Sequence, residues 1–315
     1  MGIEISFEYS EKLIDDFIKE KLKSDKSKRD YKREILKFIK FAGMDFLDIK
    51  SHHVCEDYIN HLKDRTKLPS KHPEHLSMAT VEKIYSYLFS FFNYLEEKLE
   101  QDSIDFYNYF KKIDKPTVSR NIKRDKIISW KELDELISIL KEGNKRDFIA
   151  LMLIFTSGLT VKEVTSLKWN QFVEDANGNI GIEFDLPNGF KRYVKVSKEI
   201  WQLLIEYRKN STVSSTTHVF LNKFGHPLSD RWFRKVLSDA CEKAGFEHKY
   251  TPRDLRHSAA FYQLKSGASP EKVQYQLGWS DVRLANRYSY VIPELEDNPI
   301  DYVNFTLKKQ GDDKN

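Results

Sequence analysis

The sequence has little of what small secreted proteins and membrane proteins depend on. Its 315 residues include only two cysteines, Cys55 and Cys241, which are far apart and form no CxxC motif. Neither a disulfide framework nor a cysteine zinc site is therefore predicted. No apolar run approaches the roughly 18 residues of a membrane helix, and the first residues carry acids where a signal peptide carries bases. We expect a soluble protein of a reducing cytoplasm.

Basic residues are in only small excess, with 52 Lys and Arg against 48 Asp and Glu and a net charge of +4. The basic residues are nevertheless clustered in residues 21–34, 115–126 and 230–235, often beside an aromatic side chain. Such clusters suit phosphate neutralisation and base stacking. Solvated helix faces of a charge-rich protein would show the same pattern. The distribution favours a nucleic-acid partner more than the net charge does.

The first part of the chain predicts a small helical bundle. Apolar side chains follow a helical period in residues 29–43, where Gly43 is the predicted C-cap, and again in residues 78–99. Residues 114–128 show no apolar period, hold one proline and carry mostly basic charges, as an interdomain linker does. We expect a helical domain over residues 1–113 and a linker over 114–128.

The second part, residues 129–315, mixes helices with one pair of strands. A Ser-x-x-Glu capping box opens a helix at its start, and an apolar helix ends near Gly158. Residues 180–196 carry β-branched and aromatic side chains around a Pro-Asn-Gly turn, which predicts two joined strands. Helices then resume, and Thr251 is the predicted N-cap of the helix that contains DLRHSAA.

Two short motifs stand out in this second part. Leu255-Arg256-His257 lies on the DLRHSAA helix, and LGWSDVRLANRYSYV places Tyr288 nine residues after Trp279, whereas Tyr290 falls outside that spacing. With the helical domain and basic linker before them, these motifs resemble the tyrosine recombinases, or phage-integrase family, over nearly the whole chain. The resemblance implies a mainly α fold with a small β-hairpin or sheet. An N-terminal helical core-binding (SAM-like) domain would precede an α+β catalytic domain.

The resemblance also implies a role for each matching residue. Tyr288 would be the nucleophile that forms a 3′-phosphotyrosyl bond, and Arg256 and Trp279 would bind the scissile phosphate. Glu163 would orient the site, and His257 would support it rather than act directly. A phenol is a weak nucleophile at neutral pH, so these cations would stabilise both phenolate and phosphoryl charge. The tyrosyl bond conserves energy, so we expect no ATP, metal or other cofactor.

Three positions depart from the family pattern. The helix motif G-L-R-x-x-E reads Gly158-Leu159-Thr160-Val161-Lys162-Glu163 here, so Thr160 replaces the first catalytic arginine. Arg253 stands where the family has histidine, lysine or tyrosine, and an arginine cannot shuttle protons near neutrality. The hairpin lysine has no counterpart in register, because an ungapped match lands on Pro187. Lys191 is the nearest substitute as general acid, with Lys195 as the alternative.

The threonine at position 160 bears most directly on activity. An arginine supplied to a transferring phosphoryl group contributes about 10³–10⁵ in rate. We therefore expect a slow enzyme or an inactive one, unless Arg253 or Lys162 reaches the space. The joint presence of Tyr288, Arg256 and Trp279 favours some activity.

Basic residues of the linker and of the segment before Tyr288 are the predicted DNA contacts. Arg283 and Arg287 are spaced i, i+4, so they would repel each other on a free helix, and a phosphate between them would reverse that repulsion. Asp281 is an alternative partner for Arg283. The predicted DNA contacts are Arg120, Lys123, Arg124, Arg283 and Arg287.

The predicted function is that of a site-specific recombinase or integrase acting on duplex DNA in the cytoplasm, as a homotetramer on paired sites and without a membrane partner. An inactive DNA-binding protein and a type IB topoisomerase-like nicking enzyme are the alternatives. Residues 301–309 would dock on a neighbouring copy or pack on their own domain. His52-His53-Val54-Cys55 has no second ligand pair, so we expect no metal site there.

Overall fold

The computed structural model describes residues 7–186, 189–209 and 218–288. Within these ranges the chain is mostly helical with one antiparallel three-stranded sheet, which confirms the predicted fold class. The chain divides into two units, Met1–Ser119 and Arg120–Asn315, and the division falls inside the segment predicted as a linker. None of the helices in the described ranges has both the length and the apolarity needed to cross a membrane.

The first unit is a bundle of four helices around an aromatic core. α2 begins after Ser24, whose hydroxyl caps the helix, and ends at Gly43, which adopts the left-handed conformation (φ 65°) that glycine tolerates. Phe38, Phe91 and Phe92 are fully buried and meet neighbouring rings mostly edge to face or tilted. The helices are α1 (Phe7–Lys21), α2 (Asp25–Ala42), α3 (His52–Asp64) and α4 (Met78–Gln101).

The second unit is built around one buried helix, α6, which packs against α5, α8 and α10. The predicted capping box at Ser129 is present, and Thr251, the predicted N-cap of α10, forms a capping box with Asp254. The helices of this unit are α5 (Trp130–Glu142), α6 (Lys145–Ser157), α7 (Val161–Ser166), α8 (Lys198–Lys209), α9 (Asp230–Lys243), α10 (Pro252–Lys265) and α11 (Pro270–Leu277).

The sheet of the second unit has three strands, β1 (Phe172–Glu174), β2 (Ile180–Asp185) and β3 (Lys191–Val196). β2 and β3 are the predicted pair, whereas β1 has only three residues and shows no period in the sequence. α11 covers the edge of β3 through side chains. The Tyr275 hydroxyl accepts the Tyr193 N–H (3.1 Å), and the Gln276 amide bonds the N–H and C=O of Lys195. β3 and α11 are thus tied together.

The second half of the predicted linker packs on the second unit. The Ile122 N–H donates to the carbonyl oxygen of Arg287 (2.8 Å), Ile127 is buried, and the Ile128 N–H donates to the Ser258 hydroxyl on α10 (2.9 Å). Residues 122–128 therefore belong to the wall that supports the segment ending at Tyr288.

Candidate active site

One face of α10 carries three polar side chains. Arg253, Arg256 and His257 are spaced i, i+3 and i+4, which places them on the same side of a helix. They line a cavity of about 450 Å³ whose wall also includes Trp279 and Tyr288. The structure thus brings together five residues that the sequence assigned to one site.

Tyr288 ends a short 3₁₀ segment, Val282–Tyr288, and its side chain is almost fully buried. Its ring lies in a small apolar cluster with Phe261 and Leu277. The Trp279 ring stacks on it, with ring centroids 5.9 Å apart and planes 13° from parallel. The Tyr288 hydroxyl lies 2.8 Å from Nδ1 of His257. His257 therefore contacts the candidate nucleophile directly, which the sequence did not lead us to expect.

Both partners of this hydrogen bond are neutral at neutral pH. Burial raises the pKa of Tyr288 to about 12, although nearby arginines oppose the shift. Burial lowers the pKa of His257 to about 4, with Arg253, Arg256 and Arg287 acting in the same direction and Asp254 against it. A neutral imidazole carries its proton on Nδ1 or on Nε2, and with the proton on Nε2 the phenol donates to Nδ1. The contact then places a hydrogen-bond acceptor beside the candidate nucleophile.

Arg256 is held by two backbone carbonyls. One terminal nitrogen donates to the Gly158 oxygen and the other to the Leu277 oxygen (2.7 Å). Gly158 is the left-handed C-cap of α6 (φ 67°), and a Cβ there would collide with the Leu277 side chain. Because a guanidinium has five N–H donors, this anchoring leaves donors available for a phosphate in the cavity.

Glu163 links three elements beneath the cavity. One carboxylate oxygen pairs with the Arg192 guanidinium of β3. The other accepts the N–H and the hydroxyl of Thr160 (2.7 and 2.8 Å) and lies 4.0 Å from Arg256. The orienting role expected for Glu163 thus corresponds to definite contacts, with Arg256 as one of its neighbours.

Arg192 is the residue of this network that the sequence analysis missed. Its side chain is buried, its guanidinium lies 4.8 Å from the centroid of the Phe184 ring, and it also donates to the Leu277 oxygen (3.4 Å). Gly278 packs so closely on it that an added Cβ would collide with the guanidinium. The strand alternation could have revealed it, because Arg192 shares a face with Val194 and Val196, which are both buried.

Thr160 lines the cavity but brings no charge to it, and its side chain caps a helix. It is the N-cap of α7 and forms a reciprocal capping box with Glu163. A threonine cap is worth about 1 kcal/mol of stability. Of the two residues expected to replace the missing arginine, Arg253 lines the cavity and Lys162 does not.

The structure does not bring Lys191 to this cavity. Residues of β3 alternate between faces, and Lys191 lies on the face opposite to Arg192, where it pairs with Glu183 (2.5 Å). Lys191 as the general acid therefore stays a prediction that the described contacts do not support. The prediction weighed position along the chain and did not weigh strand face.

The predicted DNA contacts lie in different surroundings. Arg287 lines the cavity, whereas Arg283 is exposed and pairs with Asp281, the alternative that the sequence left open. The Arg124 guanidinium lies 5.6 Å from the centroid of the Phe261 ring, and Arg120 and Lys123 are exposed. Pro187, Tyr290 and residues 301–309 fall outside the described residues.

The His52 region offers one cluster of ligand-type side chains. His52, His53 and Glu56 bring ligand atoms within 4.8 Å of one another near the start of α3. Cys55 is buried, and burial raises the pKa of its thiol to about 12, so it stays protonated at neutral pH. The Cys55 thiol is not among these ligand atoms.

The buried ion pair of Arg192 predicts a stability difference between neighbours on β3. Arg192→Met should lower the free energy of unfolding by roughly 3–5 kcal/mol, because Glu163 loses the partner of a buried pair. Lys191→Met removes an exposed pair and should cost less than about 1 kcal/mol. Urea unfolding of both variants checks the difference. Equal losses would contradict the network described above.

The His257 pKa predicts a loss of stability in mild acid. Its pKa in the folded protein, about 4, lies below the ordinary value of 6.5, so the unfolded chain binds the proton more readily between these values. Stability should therefore fall as pH decreases from 6.5 towards 4. His257→Gln should lack this component, which is on the order of 2 kcal/mol. Urea unfolding at pH 7 and 4.5 checks it, and identical pH responses would contradict a neutral His257.

Relatives of this chain are tyrosine recombinases. It is 31% identical over 191 residues to tyrosine recombinase XerC of Lactobacillus delbrueckii subsp. bulgaricus, an alignment that covers 56% of this chain and 63% of that protein, which is less than two thirds of its length. It is 26% identical over 227 residues to tyrosine recombinase XerD of Listeria monocytogenes serotype 4b, covering 68% and 72%.

Solved structures of similar fold come from the same group of proteins. The XerH site-specific recombinase in a post-cleavage complex with palindromic difH substrate matches with a TM-score of 0.69 and 20% identity, over 92% of this chain and 83% of that one. A lambda integrase(75-356) dimer bound to a COC' core site matches with a TM-score of 0.65 and 16% identity, over 90% and 96%. At these identities the likeness concerns the fold alone.

The match to a family model is more specific. Residues 126–293, more than half of the chain, match the model of the phage integrase family. This range contains the whole α10 face, Trp279 and Tyr288. The chain belongs to the phage integrase family.

Proposed function

We propose that the protein is a site-specific DNA recombinase that breaks and rejoins DNA through Tyr288. The observation that carries this proposal is the 2.8 Å contact between the Tyr288 hydroxyl and Nδ1 of His257, in a cavity lined by Arg253 and Arg256. A nucleophile, a base and two cations around one space suit attack on a phosphodiester. The named relatives, which are tyrosine recombinases, support the same activity.

The proposed reaction is a transesterification. The Tyr288 oxygen attacks the phosphorus, its proton passes to Nδ1 of His257, and the bond from phosphorus to the 5′ oxygen breaks. The products are a 3′-phosphotyrosyl bond and a 5′ hydroxyl, and water carries the proton from His257 to the leaving 5′ oxygen, so no proton is gained or lost overall. Rejoining reverses each step. The energy of the broken ester is retained in the tyrosyl ester, so no ATP is consumed.

The proposed phosphate ligands are the two arginines of α10 and Trp279. Arg256 keeps its position through two carbonyl contacts, so it reaches the phosphate with little loss of side-chain freedom. Arg253 is exposed at the same wall and adds a second cation. Trp279 fixes the Tyr288 ring by stacking and would place its indole N–H near the phosphate.

We propose duplex DNA as the partner, because the XerH and lambda integrase chains of similar fold are named in complexes with a difH substrate and a COC' core site, and the Tn1549 transposon integrase, also of similar fold, in a complex with circular intermediate DNA. Arg120, Lys123 and Arg124 in the linker and Arg287 at the cavity would contact phosphates. The helical domain of residues 1–113 and the domain that starts at residue 129 would each contact the duplex. Assembly as a homotetramer on paired sites belongs to the same proposal.

The second candidate is a DNA-binding protein without cleavage activity. Thr160 favours it, because the hydroxyl in place of the arginine is bound to Glu163 and brings no positive charge to the cavity. Both candidates bind DNA, and only the first forms a covalent adduct. A type IB topoisomerase-like enzyme would also form the adduct but would relax supercoiled DNA without sequence preference.

The deciding prediction concerns the adduct. Nicked duplexes of randomised sequence that lose the fragment after cleavage should accumulate a covalent product on wild-type protein. Mass spectrometry of tryptic peptides should place it on Tyr288. Tyr288→Phe should abolish it and leave DNA affinity within about twofold, because only the nucleophilic oxygen is removed.

Tyr290→Phe, two residues away, is the matched control and should form the adduct at the wild-type rate. Tight DNA binding without any adduct would contradict the recombinase proposal and support the DNA-binding protein without cleavage activity. An adduct mapped to Tyr290 would show that the nucleophile is wrongly assigned.

A further inference from the structure

The cavity wall includes a fourth arginine that neither the sequence motifs nor the mechanism above uses. Arg234 lies on α9 and lines the cavity with Arg253, Arg256 and Arg287. Its Nε donates to a carboxylate oxygen of Asp230 (2.8 Å), one turn earlier on the same helix. The Arg234 side chain is 57% exposed, so it is free to change rotamer.

The position of α9 relates Arg234 to the missing arginine. α9 packs against α7, the helix that begins after Thr160, and Thr160 lines the same cavity as Arg234. The Thr160 hydroxyl donates to Glu163, and a threonine carries no charge, so this side of the cavity receives no positive charge from the start of α7. Asp230 is an anion on the same wall, and its exposed pair with Arg234 is of the weak kind that a doubly charged phosphate can displace.

We infer that Arg234 is the phosphate ligand that takes over from the arginine absent at position 160. In the empty cavity Asp230 holds the guanidinium in place. When a phosphate enters, Arg234 turns from Asp230 to the phosphate and supplies the hydrogen bonds that α7 lacks. The inference rests on the proposed function for its biological meaning, but the binding of phosphate is measurable without cleavage.

The test is titration calorimetry with inorganic phosphate. Arg234→Ala should raise the dissociation constant by roughly tenfold, as expected for the loss of one charge-assisted contact. Arg231→Ala is the matched control. It removes the same charge from the same helix at a position outside the cavity wall, and should change the constant by less than about twofold.

A double-mutant cycle then asks whether Arg234 stands in for position 160. In a Thr160→Arg background the loss caused by Arg234→Ala should shrink to about twofold or less, because the new arginine binds the same phosphate. Circular dichroism confirms folding, and Arg234→Gln, which keeps much of the side-chain volume, repeats the measurement should Arg234→Ala unfold. Equal effects of the Arg234 and Arg231 variants, an undiminished loss in the Thr160→Arg background, or no phosphate binding by wild type would each overturn the inference.

The rate of adduct formation at saturating DNA separates this inference from the proposed function. Arg234→Ala should slow the adduct roughly tenfold while Arg231→Ala leaves the rate unchanged. Absence of an adduct from wild-type protein would defeat the proposed activity and leave the phosphate result standing. An adduct that forms at the wild-type rate in Arg234→Ala would defeat the inference alone.

Discussion

The Leu277 carbonyl oxygen at the end of α11 is the point on which the site depends. It accepts hydrogen bonds from Arg192 of β3 and from Arg256 of α10, so three elements meet at one atom. Two guanidinium groups this close repel each other, and Glu163 offsets the repulsion by pairing with Arg192 and lying near Arg256. Trp279 follows Leu277 by two residues, so the same anchor fixes the ring that stacks on Tyr288.

This network explains why a threonine is compatible with the fold at position 160. Glu163 needs donors for both carboxylate oxygens, and Thr160 satisfies one of them while it caps α7. The structure therefore keeps its orienting carboxylate although the family arginine is absent. The threonine brings no positive charge to the cavity, which under the proposed function would bear on the rate of phosphoryl transfer far more than on stability. The proposed chemistry would then rely on the α10 arginines and on His257 beside the phenol.

The sequence predicted the parts of the site that are fixed by local structure. Arg253, Arg256 and His257 share a face because their spacing is helical and the capping box of α10 fixes where the helix begins. Trp279 and Tyr288 are nine residues apart, and the short segment between them brings both rings to the same cavity. Arg192 was missed although the alternation of β3 places it on the buried face, and Arg234 was missed because the packing of α9 brings it to the cavity wall. Lys191 lies away from the cavity because its face on the strand, rather than its distance from the turn, decides where it points.

The central claim is that Tyr288, His257 and the α10 arginines form one site for a phosphoryl group. A crystal structure of the protein with orthovanadate and a nicked duplex tests it most directly, because pentacoordinate vanadate mimics the geometry of phosphoryl transfer. The account predicts vanadium bonded to the Tyr288 oxygen, its equatorial oxygens hydrogen-bonded to Arg253 and Arg256, and His257 still in contact with Tyr288. Vanadate bound elsewhere, with the Tyr288 hydroxyl still buried against His257, would contradict the account.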